Sequence, residues 1–128
     1  MTEIVTHRQG DVLLRKIPDD FKWSKSSWEK PSKVKDNILA FGEGSGHAHI
    51  IEGDNEDFTV EDGVIDNRQS EGKKRVVKVG AEGAKLVHRN VNTGKLTGDH
   101  SEIELATGTY EMVPQQEMDD QKVVRVID

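Results

Sequence analysis

Apolar residues recur along this chain at every second position, in short runs closed by glycine, proline or Asx residues. The first run, Asp11-Val12-Leu13-Leu14-Arg15-Lys16-Ile17, opens after Gln9-Gly10 and stops at Pro18, which cannot donate to a ladder. It predicts a strand with Val12 and Leu14 on one face and Leu13 and Ile17 on the other. Asn37–Phe41 and Gly46–Glu52 predict two more strands joined through glycines, the second ended by Gly53-Asp54-Asn55. Asp57–Val60 and Gly63–Ile65 predict short strands around Asp62-Gly63, a dipeptide typical of hairpin turns. Arg75–Val79 and Ala84–His88 flank the turn Gly80-Ala81-Glu82-Gly83, and Ala84, Leu86 and His88 share a side. Glu102–Leu105, Gly108–Val113 and the tail Val123–Ile127 complete the pattern. No segment of helical length keeps a 3.6-residue period; Gln115–Gln121 has room for a helical turn. Strands at roughly 10-residue spacing predict an all-β fold, a small β-barrel or β-sandwich of jelly-roll or cupin-like type.

The 128 residues make one domain, 1–128. An apolar fraction of 33% against a charged fraction of 33% points to a modest core, long solvated loops and a homo-oligomer as a source of added stability. A net charge of −6 opposes a phosphate backbone, which argues against nucleic acid as a partner. With no cysteine, disulfides, thiolate metal sites and thiol nucleophiles drop out together, and any metal must take nitrogen or oxygen ligands. The N-terminal stretch lacks a signal-peptide pattern and no run approaches the ~20 apolar residues of a membrane helix. The expectation is a soluble, intracellular protein.

One long connection, Pro18–Asp36, carries Phe21, Trp23 and Trp28 among Lys22, Lys25, Lys30, Lys33 and Lys35. Its aromatics suit a loop folded back over the edge of the core. A lid or a partner-binding segment is the alternative.

The densest chemistry lies in Phe41-Gly42-Glu43-Gly44-Ser45-Gly46-His47-Ala48-His49-Ile50-Ile51. On an extended backbone His47, His49 and Ile51 share one face. His88 ends one strand and His100 precedes the next, so an antiparallel pairing of the two brings their rings to one rim, where the His47/His49 face can meet them. Four imidazoles converging in this way suit a divalent transition metal or a small polar ligand, with Glu43, Glu52 or Asp99 available as a carboxylate donor. The competing explanations are bland: a surface pair for His47 and His49, a structural role for His88, a turn cap for His100. Gly42-x-Gly44-x-Gly46 lacks the Lys-Ser/Thr of a phosphate loop and precedes a strand rather than a helix. Ser45 sits in no nucleophile-elbow sequence.

Taken together, Gln9-Gly10-Asp11-Val12, Gly42-Glu43 with Gly46-His47-Ala48-His49, Lys85-Leu86-Val87-His88, Asp99-His100, Gly108-Thr109-Tyr110, Gln116-Glu117 and Arg125-Val126-Ile127-Asp128 span nearly the whole chain. This set resembles a family of small uncharacterised proteins encoded by bacteriophages and bacterial genomes. Two departures stand out. The third and fourth histidines, nearly adjacent in the family pattern, are separated here by Arg89–Gly98, which looks like an inserted hairpin, and Met118 stands where the pattern has tyrosine.

The resemblance implies a phage-type accessory protein with a histidine-centred site, His47, His49, His88 and His100, in the host cytoplasm or on the virion. It names no reaction. The alternatives are a cupin-like metal enzyme, although the cupin acidic ligand falls at a slightly longer spacing than Glu52 offers, and a phage structural or interaction protein. The last class includes a virion component, a host-defence inhibitor binding a host protein, or a co-chaperonin-like barrel, whose rhythm Gly10–Arg15 and Ile38–Gly42 weakly resemble.

Overall fold

Period-two patterning pays off as two stacked sheets. The computed structural model describes residues 5–25, 30–41, 46–53, 57–98, 100–113 and 125–127. Its strands are β1 (Val5–Gln9), β2 (Val12–Ile17), β3 (Ser32–Lys33), β4 (Ile38–Phe41), β5 (His47–Glu52), β6 (Phe58–Val64), β7 (Lys73–Val79), β8 (Ala84–Asn90), β9 (Ile103–Leu105), β10 (Gly108–Val113) and β11 (Arg125–Ile127). One sheet has seven strands in the order β11-β1-β2-β10-β7-β6-β3, the other four in the order β4-β5-β8-β9. All described pairings are antiparallel except β1 with β11. Each sheet keeps two edges, so the arrangement is a sandwich and not a closed barrel. Among the described residues there is no α-helix, only two short 3₁₀ turns, and no helix is long and apolar enough to cross a membrane.

The core lies where the alternation placed it. Val12 and Leu14 of β2, Val77 and Val79 of β7 and Tyr110 of β10 meet Leu39, Ile51, Leu86, Ile103 and Leu105 of the smaller sheet, all within 6% exposure. Arg75 ties the sheets together beside this core. Its guanidinium grips Asp62 through Nε at 2.7 Å and Nη2 at 2.8 Å, and Nη1 donates to the Leu39 carbonyl at 2.7 Å. A planar fork with fixed donors suits two partners at once.

One expectation needs correction. Asp62-Gly63 is not a hairpin turn: β6 runs unbroken through it, with Asp62 paired opposite Arg75 and Gly63 opposite Lys74. The glycine serves close packing, since a Cβ at Gly63 would lie 2.7 Å from the Trp23 ring. The tail strand lies at one edge of the seven-stranded sheet, as β11. The described part of the Pro18–Asp36 connection is folded back on β6. Trp23 bridges to Ile65, packs edge-on to Phe21 at 5.0 Å, and β3 extends the sheet beyond β6. Trp28 lies outside the described residues, as do Gly42 to Ser45 and the Gln115–Gln121 turn.

The outer face of the seven-stranded sheet carries a buried charge. Glu111 on β10 is 1% exposed. It forms hydrogen-bonded ion pairs with Arg15, directly opposite on β2, and with Arg68, whose Nη2 is 3.0 Å from Oε1. Oε2 lies 2.7 Å from Arg68 Nη1, near enough for charge pairing but out of hydrogen-bond alignment. Arg68 also pairs with Glu71.

Candidate functional site

The four histidines predicted to converge do meet, at one end of the sandwich on the inner face of the smaller sheet. β5 and β8 pair with His49 directly opposite His88, so both rings leave the sheet on the same side. Their centroids are 4.6 Å apart. His47 reaches His88 at 5.3 Å, and His100 lies 4.8 Å from His88 and 5.8 Å from His49. His88 is the hub of the group. His49 and His88 are 2% and 3% exposed, His47 is half-buried and His100 is exposed, so the cluster has a floor and a mouth.

The segment Arg89–Gly98, which separates His88 from His100, is indeed a hairpin. Asn90 N–H bonds the Lys95 carbonyl at 2.9 Å, Arg89 bridges to Leu96, and Thr97 N–H returns to the His88 carbonyl at 3.1 Å. It brings His100 back to the rim instead of carrying it away. It also delivers Thr97, whose Oγ1 is 2.5 Å from His88 Nδ1.

Three further residues frame the cluster. Gln9 ends β1 in the opposite sheet, is 1% exposed, and places Oε1 2.8 Å from His49 Nδ1. Gly10 follows in the two-residue turn between β1 and β2, at φ 57°. A Cβ there would lie 2.8 Å from His100 Nε2 and 3.4 Å from His49 Cε1, so glycine serves both the left-handed backbone and the space the rings occupy. Asp11 supplies negative charge that favours the protonated form of His49. Burial outweighs it and, with the neighbouring His88 and His100, pushes the His49 imidazole down to about 4.

Among the candidate carboxylates, Glu52 takes no part. It is on the outer face of β5, where its two oxygens pair with the Arg89 guanidinium. Glu43 and Asp99 lie outside the described residues. As the side chains stand, no group of three or more histidine, aspartate or glutamate residues among those described is set to hold a metal ion. The ring spacings nevertheless suit one. Two imidazoles bound tetrahedrally at ~2 Å to a shared ion hold their centroids ~5 Å apart, and the four observed separations run from 4.6 to 5.8 Å.

His7, the fifth histidine, is elsewhere. It lies on the inner face of β1, 8% exposed and edge-on to Tyr110 at 5.6 Å, with no hydrogen-bond partner for Nδ1 among the described residues. Burial, and then the charge of Lys16, hold its imidazole below the usual 6.5. The unfolded chain therefore binds the proton more readily than the fold does, and the associated stability is complete above pH 6.5 and drains away as pH falls below it. A urea-unfolding series from pH 7.5 to 5.5 is expected to show the midpoint falling, and His7→Phe is expected to reduce that slope while leaving the part due to His49; equal slopes for the two proteins would remove His7 as a contributor.

A family model described as a domain of unknown function (DUF8820) matches residues 8–115. No curated protein matches the chain, and no solved structure does.

Proposed function

The chain belongs to the domain of unknown function DUF8820, and from that premise we propose that it is a small β-sandwich binding module whose His47/His49/His88/His100 cluster takes a divalent transition metal. The observation that carries this reading is the packing of three imidazoles, those of His47, His49 and His100, around that of His88 at 4.6 to 5.3 Å, two of the four rings buried and two towards solvent. Such a shell offers neutral nitrogen donors, which suit zinc, nickel, copper or cobalt and discriminate against magnesium and calcium. His49 and His88 form the fixed half of the shell. His47 and His100 form the outer half, where a water or a small polar ligand has access to the ion. The resemblance of the motifs to phage-encoded proteins extends the proposal to a phage-type accessory role in the bacterial host or on the virion.

The experiment is a titration of metal-stripped protein carrying no histidine tag. One equivalent of Zn²⁺ or Ni²⁺ is expected to bind and, at ~100 times Kd, to stabilise the fold by ~2.7 kcal/mol, raising Tm by roughly 10 °C. Mg²⁺ is expected to do nothing. Absence of both stoichiometric uptake and a thermal shift with every transition metal tried would overturn the metal reading.

A further inference from the structure

We infer that Gln9 is the positioning residue of the histidine cluster, fixing His49 as the tautomer with its proton on Nδ1 so that the Nε2 lone pair is available to an incoming ion. The inference rests on the proposed metal reading for its purpose but on hydrogen-bond geometry for its content. Gln9 Nε2 donates to two carbonyls, Ser101 at 2.9 Å and Leu86 at 3.1 Å. Both are acceptors only, so the amide cannot be turned over without setting its oxygen against two others. Oε1 is thereby held 2.8 Å from His49 Nδ1, and an acceptor at that distance requires the ring to donate. The proton is then on Nδ1, and Nε2 carries the lone pair.

The same side chain fixes position as well as proton. Gln9 reaches across the sandwich from β1, bonds the backbone of β8 two residues before His88, and bonds the residue immediately after His100. It therefore touches the segments that supply His49, His88 and His100. Outer-shell partners that orient a ligating histidine change metal affinity by ~10–100-fold when removed.

The test reads the tautomer directly, without metal. Long-range ¹H–¹⁵N correlation spectra of the apo protein at pH 7.5 are expected to show His49 with Nδ1 protonated and Nε2 bare. In Gln9→Met, which keeps the bulk but neither accepts nor donates, the other tautomer is expected to gain population and Zn²⁺ affinity to fall ~10–100-fold. Gln9→Glu separates the two roles: it retains an acceptor for His49 but sets an oxygen against two carbonyls. The Nδ1–H form is expected to persist there while Tm drops. A wild-type His49 protonated on Nε2, or a Gln9→Met protein with unchanged tautomer and affinity, would falsify the inference. If the wild-type tautomer is as expected but no metal binds, the metal reading fails, and with it the purpose assigned to Gln9, while its hold on the imidazole stands.

Discussion

His49→Ala is expected to weaken transition-metal binding by at least ~100-fold, above the range seen when only an outer-shell partner is lost. His49 is the buried ring that faces both His88 and His100, at 4.6 and 5.8 Å, and it is bonded to Gln9. Its removal deletes a donor from the floor of the site and leaves the Gln9 oxygen without its partner, a further ~1–3 kcal/mol against the fold. His88→Ala is expected to do the same, whereas His7→Ala, on β1 against Tyr110, is expected to leave affinity within a few-fold. Competition against a chromophoric chelator measures all three. Equal affinities for wild type and His49→Ala would exclude His49 from the shell, whatever else binds.

The largest loss of stability is expected from Glu111→Ala. The carboxylate is 1% exposed and balances Arg15 and Arg68, so truncation removes the negative charge that the two guanidinium groups share. Breaking a buried pair from one side costs ~3–5 kcal/mol, which in a domain of this size lowers Tm by roughly 10–20 °C. pH provides an independent check. Burial raises the Glu111 carboxyl, but the hydrogen bonds and charges of Arg68 and Arg15 outweigh it and hold the group below its ordinary 4.5. Its stabilisation is therefore complete above pH 4.5 and lost as pH falls through the lowered folded value. Stability curves of wild type and Glu111→Ala are expected to converge below that pH. A constant gap down to pH 3 would assign the loss to packing rather than charge.

Most of the strands were legible because their inward positions are apolar. β2, β7 and β8 carry Val, Leu and Ala at every second place, and no alternative period fits them. β1 was not legible: its inward residues are His7 and Gln9, so a strand facing the core reads as a polar stretch. The Asp62-Gly63 turn was wrong for a tertiary reason, the Trp23 ring occupying the space a side chain would need.

At the site, the four histidines were visible from spacing alone. Glu52 could have been set aside by the same rule, since it is three residues from His49 and an odd step crosses the sheet. Gln9 carried no such signal. Its partners are 40, 77 and 92 residues away, and only its place in the Gln9-Gly10-Asp11-Val12 motif marked it.

Those separations have a consequence for how the protein comes into being. At ~5–20 residues per second of synthesis, Gln9 precedes Ser101 by roughly 5–20 s. The β1–β2 hairpin can form in microseconds, but the imidazole floor and its amide clamp cannot exist until the last of these segments has emerged. The order of events that the topology favours is synthesis of every histidine-bearing segment first and closure of the two sheets around the cluster second; under the proposed metal reading, an ion would find its site only after that closure.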